Sequence, residues 1–268
     1  MKTGYHAVYA NNFFDGIDDA YKNKFDFVQF DLGARRFFLD DLAASDLREI
    51  KTRAKNNNIE ITFHSPGDNV SLFCDCFLIR KGILDQLKLI LEKANLLNAR
   101  HMTFHAGVYS RFPKSGCKSE DDADLSYFED ILYENLKFLI NNRGDVLICI
   151  ENYYFNQTVI RAVKRLIDEK YPLFLTLDTA KMYYGGKEIN QNDYDFYLEY
   201  KDSIREMHVH DLITGYGSHQ TVGTGTVDFK LFQKFCNENV YINFEVRPVE
   251  AASISKDNLN KIWDVNGE

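Results

Sequence analysis

The feature that most constrains the fold is an alternation of short apolar segments with longer amphipathic ones, which recurs eight times along the chain. The short segments are mostly apolar at successive positions, which is typical of parallel strands buried on both faces. We therefore predict strands at Tyr5–Tyr9, Phe25–Phe30, Glu60–Phe63, His101–Phe104, Val146–Ile150, Phe174–Leu177, Glu206–Val209 and Tyr241–Phe244.

Amphipathic helical patterns separate the predicted strands. The clearest is Ile79–Ala94, where apolar residues recur every three or four positions. Leu125–Asn141 and Val159–Glu169 have a similar pattern, and another helix is predicted to begin at Asp46. Strands that alternate with helices form a parallel sheet, and eight such units favour closure into a (β/α)8 barrel. Such a barrel typically takes about 250 residues, so we predict a single domain over residues 1–268.

Composition and charge narrow the possible classes of function. The formal net charge of −8 argues against a nucleic-acid partner, because duplex binding depends largely on Lys and Arg contacts to phosphate. The five cysteines are odd in number and lack the spacing of a disulfide framework, which favours a reducing compartment and hence the cytoplasm. The sequence has no apolar stretch of about 18 residues and no apolar N-terminal segment, so we expect neither a membrane span nor a signal peptide.

Side chains that can bind a metal ion occur at or near the ends of six consecutive predicted strands, the third to the eighth. In chain order they are His64, His105, Glu151, Asp178, His208 and Glu245. The C-terminal ends of barrel strands converge on one mouth, where the active sites of this fold lie. Carboxylates and imidazoles together suit Mn, Zn, Fe, Co or Mg, and a divalent cation offsets the repulsion between crowded carboxylates. The pattern therefore predicts a divalent-metal site.

Each of these residues alone has an ordinary structural interpretation. A histidine at a strand end is commonly a hydrogen-bonded loop residue, and Asp178 with Thr179 could cap the next helix. Coincidence at six strand ends is harder to explain, so the metal site is favoured. His210 would share a face with His208 only if the strand continued that far, so we expect a loop or structural role for His210.

Several short motifs make the sequence resemble the xylose isomerase-like barrel superfamily. They are the Glu of CIEN, the Asp of LDTA, the His-x-x-Asp of HVHD, the Gly-x-Gly of HQTVGTG and the Glu of NFEV. That group joins sugar and sugar-phosphate isomerases and epimerases with nucleases of the endonuclease IV type. The resemblance implies four metal ligands, which are Glu151, Asp178, His208 and Glu245. His208 is assigned rather than His210 because the family's ligand precedes its acidic residue, here Asp211, by three positions.

The nuclease members of that superfamily hold further metal ions, and this chain matches their ligands only in part. Where they have a histidine three residues after the strand-six aspartate, the chain has Lys181, and where they have a loop aspartate it has Gly217. Only His219 matches a ligand of that third ion, so no trinuclear site is implied. His64 and His105 match positions that hold a further zinc together with the strand-five glutamate. A site for one or two metal ions is therefore expected.

The favoured function is a metal-dependent isomerase or epimerase of a small carbohydrate, either a sugar or a sugar phosphate. Such a reaction removes a proton beside a carbonyl and passes through an enediolate that a metal ion stabilises. Glu151 and Glu245 are the predicted acid–base pair, although both could serve only to hold the metal. Lys181 and His219 are predicted to contact the substrate.

Two alternative functions remain open. One is a binuclear phosphodiesterase of the endonuclease IV type that acts on damaged DNA, which His64, His105 and His219 favour and the acidic net charge opposes. The other is a barrel that binds a sugar or a protein partner without catalysis. The sequence leaves open the identity of the sugar, its phosphorylation, the metal and the oligomeric state.

Overall fold

Eight parallel strands close into a barrel in the computed structural model, which describes residues 1–67, 70–108, 122–183 and 188–264. The barrel strands are β1 (Lys2–His6), β2 (Phe27–Asp31), β3 (Glu60–His64), β4 (His101–Phe104), β5 (Leu147–Glu151), β6 (Leu173–Asp178), β7 (Ile204–Val209) and β10 (Tyr241–Phe244). Strands β1 to β7 pair in chain order, and β10 pairs with both β7 and β1 to close the ring. An antiparallel hairpin of β8 (Asp211–Ile213) and β9 (Gly217–Gln220) follows β7. The predicted (β/α)8 barrel is confirmed.

Helices follow most of the barrel strands, and between β7 and β10 the helical element is the 3₁₀ segment Phe229–Phe235. In the described residues the α-helices are α1 (Phe13–Lys22), α2 (Ala44–Asn56), α3 (Phe77–Leu96), α4 (Asp122–Asn142), α5 (Gln157–Asp168), α6 (Gln191–Glu199) and α7 (Val249–Ile262). Helix α5 illustrates the local cause, because the Asn156 side chain accepts from the backbone N–H groups of Thr158 and Val159 and so caps its start. Val163 and Leu166 are fully buried on its inner face, as the predicted periodicity requires.

The first strand begins three residues earlier than the sequence predicts. It spans Lys2–His6 and not Tyr5–Tyr9, so that prediction was wrong at both ends. The apolar pattern misses the start because Lys2 is charged. Its Nζ donates to Glu60 Oε2 at 2.7 Å, at the N-terminal end of the barrel strands. The shift matters for the site, because it places His6 at the C-terminal end of β1.

Aromatic side chains fill the space between the barrel and its helices. Phe13 of α1 packs against Phe30 of β2 and against Phe37, with ring centroids 4.7 and 5.3 Å apart. All three are buried, and burial of each contributes about 1.5–3 kcal/mol. This outer core holds β2 in place, and with it the side chains at the end of that strand.

Polar side chains occupy part of the barrel interior, where bulky aliphatic residues are usual. Gln29, Thr103, Glu206 and Asn243 are all fully buried there. Gln29 donates to Glu206 Oε1 at 2.8 Å, and Asn243 donates to Gln29 Oε1 at 2.6 Å. Buried polar groups are costly unless they are hydrogen-bonded. The network is therefore stable only when the strands that carry these residues are correctly aligned.

Two smaller expectations concern the membrane and the cysteines. None of the described helices combines the length and the apolar character needed to cross a membrane. Cys74, Cys76, Cys149 and Cys236 are free thiols, and the fifth cysteine, Cys117, lies outside the described residues. The cytoplasmic location stays a prediction.

Candidate metal centre

The four predicted metal ligands come together at the mouth of the barrel. Glu151 ends β5, Asp178 ends β6 and His208 lies in β7, and each offers a ligand atom within 4.8 Å of the others. Glu245 follows β10, and its Oε1 lies 3.8 Å from Nδ1 of His208. The same Nδ1 lies 3.6 Å from Glu151 Oε2, so the imidazole stands between the two glutamates.

A second group of possible ligands shares Glu151 with the first. Nε2 of His64 lies 3.3 Å from Glu151 Oε2, and Nε2 of His105 lies 3.1 Å from the same oxygen. The three residues form a separate set whose ligand atoms lie within 4.8 Å of one another. Glu151 Oε2 is common to both sets, so Glu151 could serve as a ligand in either.

His210 also turns its ring into the mouth, which the sequence pattern did not indicate. Its Nε2 lies 3.0 Å from Asp178 Oδ2 and 3.5 Å from Glu245 Oε2. The backbone N–H of His219 donates to Nδ1 of His210 at 3.0 Å. A neutral imidazole that accepts at Nδ1 carries its proton on Nε2, so we assign His210 as a donor to Asp178. With its proton on Nε2, His210 orients the carboxylate of Asp178. Together with His219 and Glu245 it also forms a third set whose ligand atoms lie within 4.8 Å of one another.

The sequence analysis missed several residues at the mouth, among them His6 at the end of β1 and Asp31 at the end of β2. Nδ1 of His6 lies 3.1 Å from Glu245 Oε1, and its Nε2 lies 3.7 Å from Asp31 Oδ2. The misplaced first strand concealed His6. Asp31 left a usable signal, because it directly follows the predicted strand that ends at Phe30.

Lys181 lies inside the acidic cluster and not in solvent. It begins the 3₁₀ segment Lys181–Tyr183 after β6, and its Nζ lies 3.1 Å from Asp178 Oδ2 and 3.9 Å from Glu151 Oε1. Burial by itself lowers the pKa of Lys181, but the nearby carboxylates outweigh burial and raise it. The ammonium group is therefore charged at neutral pH and offsets part of the negative charge.

Protonated imidazole offsets part of the negative charge of the cluster. Burial raises the pKa of Glu151, but the imidazoles of His208 and His105 outweigh it and hold that pKa well below its ordinary value. Burial lowers the pKa of His208, yet the surrounding carboxylates raise it well above the ordinary histidine value. A divalent cation would supply the positive charge that these protons supply.

Several buried atoms at the mouth have no hydrogen-bond partner, among them Nδ1 of His208 and Oε2 of Glu245. Buried polar atoms are rarely left unpaired, and here one imidazole nitrogen and one carboxylate oxygen belong to the same cluster. This donor set fits a cation such as Zn, Mn or Co, which accepts mixed nitrogen and oxygen ligands.

Asp211 fixes the segment that directly follows β9, the strand that carries His219. Its carboxylate accepts from the backbone N–H groups of Gly223, Gly225 and Val227 at 2.8–3.1 Å. A Cβ on Gly225 would overlap a backbone carbonyl oxygen, so no larger residue fits there. The aspartate of the His-x-x-Asp motif thus accepts hydrogen bonds from both glycines of the Gly-x-Gly motif.

A cavity of about 320 Å³ opens at this mouth. Glu151, Glu245, Lys181, His219 and Arg247 are among the residues that line it. A larger cavity of about 920 Å³ lies at the opposite end of the barrel, where β1, β3 and β4 begin. Active sites of this fold lie at the C-terminal ends of the strands, so the smaller cavity is the candidate site.

Replacement of Asp178 by Asn is expected to weaken cation binding by more than the 10–100-fold typical of lost outer partners. The backbone N–H groups of Ala180 and Lys181 donate to Oδ1 at 2.9 Å, and an amide oxygen can keep both contacts. The lost atom is Oδ2, the oxygen that faces the cluster. Competition with a chelator measures the affinity, with Asp168→Asn on the outer helix α5 as the control. Equal affinities in the two variants would exclude Asp178 as a ligand.

Comparison with known proteins agrees with this architecture. A family model described as "Xylose isomerase-like TIM barrel" matches residues 17–260. An uncharacterized protein of Methanocaldococcus jannaschii is 26% identical over 216 residues, which cover 78% of this chain and 80% of that protein.

Solved structures of two kinds of enzyme share the fold. D-psicose 3-epimerase from Clostridium cellulolyticum, solved with D-tagatose, superposes with a TM-score of 0.71 at 14% identity, covering 98% of this chain and 99% of that one. Endonuclease IV from Thermus thermophilus gives a TM-score of 0.71 at 15% identity, covering 99% of this chain and 100% of that one. At such identities the likeness establishes the fold alone.

Proposed function

The chain belongs to the xylose isomerase-like TIM barrel family, and on this premise we propose that it is a divalent-metal-dependent isomerase or epimerase of a small carbohydrate. One observation carries the proposal. Glu151 and Glu245 end two different strands, lie on either side of Nδ1 of His208, and line the same small cavity. Two carboxylates in that arrangement can remove a proton from a bound substrate and return it.

Four residues would hold the cation: Glu151, Asp178, His208 and Glu245. When bound, it would polarise a substrate carbonyl or hydroxyl oxygen and so acidify the neighbouring carbon. The remaining chemistry belongs to the protein's own side chains.

Glu245 is well suited to act as the base. Burial raises its pKa, but the imidazole of His208 and the contact with His6 outweigh burial and hold the pKa well below the ordinary value. The carboxylate is therefore ionised at neutral pH. Its Oε2 has no hydrogen-bond partner within the protein, so a lone pair is free for a cation or a substrate proton.

The cavity favours a small substrate over a duplex. Its volume of about 320 Å³ is at the lower end for ligand pockets, which suits a monosaccharide. Burial lowers the pKa of His219 to about 4, so this imidazole is neutral at pH 7 and can hydrogen-bond a hydroxyl group. Nε of Arg247 has no partner and is a further donor at the rim.

Incubation of the metal-loaded protein with ketoses and aldoses in deuterated water is expected to place deuterium at the carbon beside the carbonyl. A panel of free and phosphorylated sugars, followed by NMR, detects both exchange and interconversion. Protein stripped of metal is the control, since exchange should depend on the cation. Absence of both exchange and interconversion across the panel would overturn the isomerase proposal.

A second candidate function is a metal-dependent phosphodiesterase that acts on damaged DNA. The set formed by His64, His105 and Glu151 favours it, because a second cation there would suit phosphate chemistry. Lys181 and Gly217 oppose it, since they stand where the nuclease members have metal ligands. A duplex with an abasic site belongs in the same panel. Efficient incision that Glu151→Gln abolishes would reverse the ranking of the two functions.

A further inference from the structure

Glu206 is a fully buried carboxylate inside the barrel, two residues before His208 on β7. Side chains that alternate along a strand place both residues on the inner face, with Glu206 one step deeper than the mouth. No substrate in the mouth cavity would reach it, since it does not line that cavity. Proton transfer by Glu151 and Glu245 gives it no role.

Partners of Glu206 come from two other strands, β2 and β4. Gln29 donates to both carboxylate oxygens, at 2.8 and 3.0 Å, and Thr103 donates to Oε2 at 2.5 Å. Nε2 of His101 lies 3.2 Å from Oε1. An uncompensated carboxylate in this interior would cost several kcal/mol, so these contacts are the means by which the fold tolerates the charge.

The remaining contact of Glu206 is with the candidate metal ligand. Nε2 of His208 lies 3.2 Å from Glu206 Oε2, while Nδ1 of the same ring faces Glu151 and Glu245 and has no hydrogen-bond partner. The amide nitrogen of Gln29 also lies 3.4 Å from Nε2 of His208, but this amide already donates to both Glu206 oxygens at 2.8 and 3.0 Å. An ionised carboxylate only accepts hydrogen bonds, so we assign the proton beside it to Nε2 of His208. The other nitrogen is then the one that can offer a lone pair.

We propose that Glu206 is a positioning residue that keeps a proton on Nε2 of His208 and thereby presents Nδ1 to the cation. A histidine ligand is commonly oriented by a carboxylate on its other nitrogen, which also raises its basicity as a ligand. The inference rests on the cation site of the proposed function. It adds that the buried polar network holds Glu206, and through Glu206 orients a ligand of that site.

Packing alone does not account for a carboxylate at this position. Thr62 on β3 is likewise fully buried and stands two residues before a mouth histidine, His64. The barrel thus accommodates a small side chain at an equivalent step of this strand, and the Thr62 hydroxyl has no hydrogen-bond partner there. The chain nevertheless keeps Glu206 beneath His208, where its charge must be compensated by four neighbours.

The test compares Glu206→Gln with Thr62→Val as the matched control. Glu206→Gln keeps the shape but removes the charge and one acceptor, so zinc affinity measured by chelator competition is expected to fall about 10–100-fold. Thr62→Val should retain the wild-type affinity. The His208 ring is followed by ¹⁵N NMR in zinc-loaded protein, where an Nε2–H resonance moved downfield by the carboxylate is expected in the wild type and is expected to move upfield in Glu206→Gln.

Each outcome bears on one claim. Wild-type protein that binds no divalent cation would overturn the proposed function. Wild type that binds zinc through Nε2 of His208, or a folded Glu206→Gln that binds zinc as tightly as wild type, would overturn only the role of Glu206. If Glu206→Gln does not fold, Gln29→Leu removes one donor to the carboxylate, and the position of the His208 Nε2–H resonance decides the question.

Discussion

Glu245→Gln is expected to lower turnover by about 10²-fold or more, because the amide keeps the shape and one ligand oxygen but cannot accept the substrate proton. The effect should fall on kcat, since the substrate can still bind beside the cation. Steady-state rates on whichever sugar shows deuterium exchange measure the change. Metal content must be determined in the same samples, because loss of the cation would produce a similar defect.

Glu60→Gln is the matched control for that experiment. Glu60 begins β3 at the opposite end of the barrel, where it contacts Lys2 and Arg100, and it lies far from the mouth cavity. This variant measures how far turnover falls when a glutamate elsewhere in the barrel is replaced. A Glu245→Gln variant that retains both its metal and wild-type turnover would exclude Glu245 as the base.

Glu151→Gln distinguishes the role of Glu151 from that of Glu245. Oε2 of Glu151 faces His64, His105 and His208, so its loss should reduce cation binding more than the Glu245 change does. We expect Glu151→Gln to be partly rescued by added metal, and Glu245→Gln to be rescued little. The reverse order would assign the base to Glu151.

Cation affinity is expected to fall about tenfold for each unit by which pH is lowered, for every proton that the cation displaces. The carboxylates raise the pKa of His208 well above its ordinary value, so in metal-free protein the ring is protonated at neutral pH. Binding at Nδ1 must expel one proton. Chelator competition between pH 6 and 8 measures the slope. Affinity that does not change over this range would contradict the expulsion of a proton from His208 on binding.

The stability of the metal-free protein should change with pH in the opposite sense. Burial lowers the pKa of His64, but Glu151 and neighbouring carboxylates outweigh it and raise the pKa to about 9. A histidine whose pKa is raised on folding contributes stability that is complete below its unfolded value of about 6.5. That contribution is lost as pH rises through about 9. Thermal unfolding without metal should thus occur at lower temperature at pH 9 than at pH 6.5, and bound cation should reduce the difference.

The site is partly visible in the sequence because strand ends carry local signals. Glu151, Asp178 and Glu245 each interrupt an apolar run, and the structure brings them to one mouth. His6 escaped because Lys2 begins its strand with a charge, which the apolar pattern cannot recognise. The error was one of strand boundary, and it moved the end of β1 away from the site.

The sequence by itself determined the order of strands and helices, the closure expected of eight such units, and the metal-competent residues at or near the ends of six of the strands. Each of these depends on periodicity and on neighbours within a few positions. Only the tertiary structure decided the environment of Glu206, whose partner Gln29 lies 177 positions away along the chain. It also decided that His210 donates to Asp178, because a backbone N–H from the β8–β9 hairpin fixes its proton. Hydrogen bonds between distant strands exist only after the barrel has closed, so no local pattern encodes them.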